Sequence, residues 1–268
     1  MVLESIFSAK TLERKPVDML FLSMIVTLVC IYVSYMIFPE YAGIIMPLLV
    51  TVTISPVMFK IFRIEEQTER EQAEHKINKS FWDRHDETII IFTMFFVGSF
   101  LAVFFVAILA PGVFIEQSFS QQIGAINAIN PPTASFTGAV ISPSILEIIV
   151  WNNMKVMFFS FLLSFLIGTG ALFILSWNAS ILAIYLASFI RQGLYNDFFL
   201  KSVGIAPHAP VEIFAYFFAG IAGGILSVGI IREKLNSREF LLVFKDSLIM
   251  LALAFGAVIF GGLLEVFI

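Results

Sequence analysis

The chain holds one cysteine, Cys30, inside an apolar run, which excludes disulfides and multi-cysteine metal sites. Charge is scarce as well: Asp, Glu, Lys and Arg make up 13% of the 268 residues, and there are 3 histidines. No basic face is present to hold nucleic acid. Also missing are a phosphate-cradling glycine loop, a Gly-x-Ser-x-Gly elbow and a His-Glu-x-x-His zinc motif. With them go the usual routes to a nucleotide enzyme, a serine hydrolase or a zinc protease. No cofactor is expected, and the protein reads as non-enzymatic.

What fills the sequence is apolar: 59% of residues are hydrophobic and the mean hydropathy is +0.94. A soluble domain of this size does not reach such values. The expectation is an all-α, polytopic transmembrane helical bundle of about seven spans, multi-pass in the cell membrane, with the lipid bilayer as its first partner. Residues 1–18 carry Lys10, Arg14 and Lys15 and precede a run from Met19 to Phe38. That run has spanning length, about 20 residues, and is too long for a signal-peptide core. A second span, Tyr41 to Phe62, contains Pro47 and Pro56. Prolines are tolerated there if neighbouring helices or hydroxyl side chains satisfy the freed carbonyls, so a kinked helix is expected.

Residues 63–87 form the one strongly charged stretch and include His75 and His85. They read as a solvated cytoplasmic helical hairpin rather than a ligand site. Thr88 to Ala110 is the third span. Residues 111–150 then contain no Lys or Arg, which places them outside. There, Phe114, Ile115, Phe119, Ile123 and Ile126 recur at helical spacing beside Glu116, Gln117, Gln121 and Gln122, the pattern of an interfacial amphipathic helix. Asn130-Pro131-Pro132 breaks it, and Ser142-Pro143 reads as an N-cap starting a short helix towards Trp151.

Met154 to Ser176 reads as the fourth span, Val211 to Ile231 and Ser247 to Leu264 as the last two. Between them Asn178 to Gln192 is about 15 residues, short for a crossing, and either tilts across or is re-entrant. If it crosses, the inner segments hold roughly 13 of the 16 Lys and Arg residues, with the N-terminus cytoplasmic and the C-terminus outside.

Polar residues near span ends are the candidate site: Asn152, Asn153, Asn178, His208 and Glu212. An unpartnered polar group in hydrocarbon costs several kcal/mol, so these must meet one another, backbone or water. His208 and Glu212, four apart, share a helix face. They fit a proton or ligand site, and equally a proline-started helix with an acid in its first turn. Asn178 is expected at the opposite end from Asn152 and Asn153, which argues against one pocket holding all three. Ser160, Ser164 and Gly168 form a small stripe on the fourth span. Ala215, Ala219, Gly223 and Ser227 form another on the Val211 span, with Gly220 and Gly224 beside it, and such stripes are helix-packing faces.

Asn152-Asn153, Gly168-Thr169-Gly170, Trp177-Asn178, Pro207-His208-x-x-x-Glu212 and Gly220 to Gly224 occur in an order that resembles the stage II sporulation protein M (SpoIIM-like) family of integral membrane proteins. The resemblance covers residues 151–231. It leaves the two spans of 19–62 and the charged loop of 63–87 outside an 88–268 core. Two glycines of the family pattern are replaced, by Ala179 and Ala209, which weakens any role carried over to those turns. The resemblance implies a scaffold that anchors a membrane complex, with other membrane proteins or copies of itself as partners and no catalysis of its own. The rival reading is a transporter or permease subunit with a polar site at His208 and Glu212. An intramembrane metalloenzyme is weaker still, because two ligands from one helix turn fall short of a metal site.

Overall fold

The computed structural model describes residues 12, 15–74, 79–129 and 143–267. His75, the Asn130-Pro131-Pro132 break and the Ser142 cap lie outside them. The described residues form α1 (Val17–Ile37), α2 (Ala42–Ala73), α3 (Phe81–Leu109), α4 (Gly112–Ser118), α5 (Ser120–Ile129), α6 (Pro143–Ile167), α7 (Ala171–Arg191), α8 (Tyr195–Ile205), α9 (Ala209–Arg232) and α10 (Arg238–Phe267). A 3-10 turn, Pro39–Tyr41, joins α1 to α2. Seven helices, α1, α2, α3, α6, α7, α9 and α10, are long and apolar enough to cross a membrane, and no strand occurs among the described residues. The chain is an all-α multi-spanning membrane protein.

α9 is the innermost helix, with 78% of its apolar window buried against 17% for α6. It lies between α6 and α10, while α1 packs outside α2 and α3. Its sequence explains the place it takes. Lipid is as apolar as leucine, so helices associate where small residues let backbones approach. A Cβ at Gly223 would run into the Phe161 carbonyl of α6 and stand 2.9 Å from the Ser164 Cβ. At Gly220 it would stand 2.5 Å from the Ala171 Cβ, and at Gly224 2.5 Å from the Phe62 ring. Ser160, Ser164, Ala215, Ala219 and Ser227 are buried in the same interior.

The boundary between α6 and α7 departs from the sequence expectation. The fourth span ends at Ile167 rather than Ser176, because Gly168 takes a φ of +83° that turns the chain. The following helix therefore starts at Ala171 and gains the length, 21 residues, that Asn178 to Gln192 alone lacks. At the other end, the short helix expected before Trp151 is the first part of α6 itself. Gly168, Thr169 and Gly170 are all buried. Irregular backbone at such depth persists only when protein groups satisfy it. The Ser164 hydroxyl oxygen accepts the Ala171 N–H at 2.9 Å, and the Thr169 and Ser55 hydroxyls are 2.7 Å apart.

α2 shows how a proline is accommodated. Pro47 has no N–H, which leaves the carbonyl one turn earlier, Gly43, without its helical donor. Gln122 of α5 supplies the replacement: its Nε2 donates to that carbonyl at 2.9 Å and to the Ser180 hydroxyl at 3.0 Å. Gln121 accepts the Gly43 N–H at 3.0 Å and donates to the Glu40 carbonyl at 2.6 Å. The amphipathic stretch expected to lie on the interface is therefore two helices, α4 and α5, meeting at a buried Phe119, with Gln122 fully buried rather than solvated. Together with α8 they cover one end of the bundle, called the capped end below.

The opposite, ionic end corrects the solvated reading of residues 63–87. Glu65, Glu66 and His85 are 4%, 1% and 0% exposed. α3 starts there on a Ser80/Asp83 capping box. His85 Nδ1 lies 2.5 Å from Glu65 Oε1 and its Nε2 3.3 Å from Asp246 Oδ2. Arg84 also grips Asp246, through Nε at 3.2 Å and through its Nη2. Thr88 donates to the other Glu65 oxygen at 2.9 Å, and Arg232 pairs with Glu66 at 2.6 Å. Charges drawn from α2, α3, α9 and α10 are thus paired beneath the Gly168 turn, and the pairing is what allows them to be buried.

Gly168→Ala is expected to lower stability by about 1–2 kcal/mol from the left-handed backbone alone, and by more as Phe59 is displaced. Gly256→Ala, with no atom within 4 Å of the added carbon, serves as the control. Thermal unfolding of the purified variants in detergent separates the two; equal midpoints would refute the requirement for glycine.

Candidate functional site

A cavity of about 230 Å³ lies among α3, α5, α6, α7 and α9. Phe96 comes from α3, Ile126 from the covering α5, Asn153 from α6, Asn178 and Tyr185 from α7, and Glu212 and Tyr216 from α9. At 1.5 Å per residue, Asn178 lies about 20 Å along α7 from its Arg191 end, and Phe96 lies about 20 Å from the Leu109 end of α3. The stretch of α3 from Ile89 to Leu109 is about 30 Å long, the thickness of a hydrocarbon core. The cavity therefore reaches past the middle of the bundle from the capped end.

One chain of hydrogen bonds organises its polar side. The Tyr216 hydroxyl donates to Asn153 Oδ1 at 2.7 Å, and Asn153 Nδ2 donates to Glu212 Oε1 at 2.6 Å. Tyr216 follows Glu212 by four residues, one helical turn, so both face α6. The carboxylate has room because α10 places Gly261 against it: a Cβ there would stand 2.6 Å from Glu212 Cγ. No cationic side chain forms an ion pair with Glu212 among the described residues. The other walls are apolar, with Ile181, Leu182 and Ile213.

Below the cavity the bundle is shut by aromatic rings. Phe96 meets Phe217 at 6.1 Å between centroids, Phe217 meets Phe92 at 6.1 Å, and Phe92 meets Phe62 at 5.9 Å. Phe62, Phe92 and Phe217 are at most 2% exposed. Past them come the paired charges of the ionic end.

The sequence-derived candidates separate on this geometry. Asn153, Asn178 and Glu212 line one cavity, which overturns the placing of Asn178 at the far end. The error follows from the span boundary: once α7 starts at Ala171, Asn178 is two turns inside it, and its Nδ2 donates to the Ile174 carbonyl at 2.7 Å. Asn152 is exposed on the outside of α6, and His208 is half-buried at the start of α9, outside the cavity lining. His208 and Glu265 lie within electrostatic reach of each other at the rim. The packing residues Ser160, Ser164, Gly168, Gly170, Ala219, Gly220, Gly223, Gly224 and Ser227 all fall in the bundle interior, away from this cavity. Tyr216, Tyr185 and Phe96 join the site beside these candidates. The four-residue step from Glu212 to Tyr216 is the signal that marks the first; nothing in the sequence distinguishes the others from packing aromatics.

The family model for stage II sporulation protein M matches residues 19–268. The chain belongs to the SpoIIM family. The match takes in the first two spans and the charged stretch, so membership is broader than the motifs of 151–231 suggested. No curated protein and no solved structure matches this SpoIIM-family chain.

Tyr216→Phe is expected to cost about 1 kcal/mol through loss of one hydrogen bond, and Asn153→Leu about 2–3 kcal/mol by stranding both partners. In the double variant the tyrosine change should add little, since its acceptor is already gone. Detergent unfolding of the four proteins gives the cycle, and full additivity would show that the three side chains do not act as a unit.

Proposed function

We propose that this SpoIIM-family protein is a permease-type membrane protein that admits a small solute into the cavity from its capped end. The Lys and Arg bias of the loops supports an outward-facing capped end, a cytoplasmic N-terminus and residence in the cell membrane. The observation that carries the reading is the cavity itself: a polar-sided space that runs from beneath α5 past the middle of the bundle and is closed towards the ionic end by aromatic rings and ion pairs. That is the arrangement of one state of an alternating-access cycle. The small-residue faces that a scaffold would offer to partner helices are used inside the chain, between α6 and α9.

A scaffold reading keeps one observation in its favour. α8 has no buried residue and presents Tyr195, Phe199 and Leu200 at 67%, 66% and 63% exposure, a surface suited to another membrane protein or to lipid. Neither reading involves catalysis.

Single cysteines in a Cys30→Ala background test the permease directly. Leu182→Cys is expected to react with a membrane-impermeant thiol reagent from outside in oriented vesicles, and from the inside in a second population. Labelling from one side alone, or from neither, would end the permease reading. Should crosslinking through α8 positions recover one reproducible partner while Leu182→Cys stays unreactive, the scaffold takes its place.

A further inference from the structure

We propose that the cavity takes a small organic ammonium ion, its head against the Glu212 carboxylate and its body against the aromatic wall. This rests on the cavity being the solute's binding place, and it names the class of solute.

Charge makes the first selection. Among the described residues Glu212 is the one carboxylate lining the cavity, and no Lys, Arg or His lines it. Glu265 lies within electrostatic reach of Glu212 and adds negative potential there, partly offset by His208, which faces Glu265 from outside the lining. An anion entering would meet like charge in a region of low dielectric. A neutral solute offers the carboxylate, 9% exposed, no counter-charge, so the acid would have to take up a proton instead. A cation supplies the counter-charge directly.

Hydrogen bonding makes the second. The relay from Tyr216 through Asn153 ends on Oε1, so the carboxylate is held in one orientation before a ligand arrives. Among the described residues no side chain donates to Oε2. One oxygen is fixed by the protein and the other is left for the guest.

The walls make the third. Phe96, Tyr185 and Tyr216 contribute aromatic rings, whose faces attract cations, and Ile181, Leu182 and Ile213 contribute methyl groups. A bare metal ion fits badly here: calcium seeks six to eight oxygen ligands, and this lining offers one carboxylate and two carboxamides, one of whose oxygens already accepts from Tyr216. A volume of about 230 Å³ falls below the usual range of drug-sized sites, roughly 300–1,000 Å³, and so limits the guest to a few heavy atoms beyond its charged head.

The experiment uses the full chain in maltoside micelles, which bring no ammonium headgroup, and three probes of one shape. Choline is the cation, dimethylbutanol its neutral isostere and dimethylbutanoate the anion, each titrated by equilibrium dialysis. Choline is expected to bind saturably and at least about 30-fold tighter than the other two, as loss of a buried charge pair implies. Glu212→Gln, which keeps an acceptor for Asn153, should lower choline affinity by a similar factor and leave the alcohol unchanged. Leu182→Trp, which fills the cavity away from the carboxylate, should abolish binding in protein whose melting is unaltered. Equal affinity for the three probes, preference for the anion, or unchanged choline binding in Glu212→Gln would overturn the assignment. Because dialysis needs no turnover, choline binding in a protein whose Leu182→Cys variant is labelled from one face alone upholds the ammonium site and overturns only the permease cycle.

Discussion

Where Gly223 of α9 meets the Phe161 carbonyl of α6, no side chain separates the two backbones. In a membrane, closeness of this kind stands in for the hydrophobic drive that water provides elsewhere, because it gains dispersion contacts that lipid cannot match as well. Much of the remaining geometry follows from it. With α6 seated on α9, Asn153 faces Glu212 and Tyr216 near one end, and the Gly168 turn is carried against Gly224 near the other. The cavity and the buried turn are thus two results of one contact, read at its two ends.

The α6–α9 seam divides the polar groups of the bundle into two sets with different character. At the capped end, one amide, itself held by a phenol, holds a single carboxylate in a mostly apolar space. At the ionic end, each of three buried acids has a base: Glu65 with His85, Asp246 with Arg84 and His85, Glu66 with Arg232. The first set is incomplete in charge and the second is balanced. An incomplete set suits a place that receives something, while a balanced one suits a closure, since separating its members carries a desolvation cost.

Much of the helical frame was legible in the sequence, because spanning runs of Phe, Leu, Ile and Val are long and their ends carry Pro, Gly and charge. The small-residue stripes were legible too, since steps of three and four put Ser160, Ser164, Ala219 and Gly223 on definite faces. Three things were not. The α6 to α7 boundary hides within an apolar stretch, where Gly168 takes a positive φ without any change in hydropathy. The charged stretch of 63–87 looks solvated because periodicity cannot reveal that Asp246 and Arg232, far along the chain, come back to pair with it. Tyr216 belongs to the site through a hydroxyl hydrogen bond, and in the sequence only its four-residue step from Glu212 sets it apart from the other aromatic residues.

The join between Gln122 and the Gly43 carbonyl connects groups 79 residues apart, and that separation has a bearing on how the protein is made. At synthesis rates of about 5–20 residues per second, α2 enters the bilayer roughly 4–16 seconds before its missing donor exists. The donor must then be carried to the far side, since α5 follows α3 across. Through that interval the break at Pro47 carries an orphan carbonyl that only water or a lipid headgroup can serve, which favours keeping this turn of α2 near the membrane surface. The Gln122 contact of the capped end is accordingly made only after α3 has crossed, and the helix that covers the cavity is also the one that completes the second span.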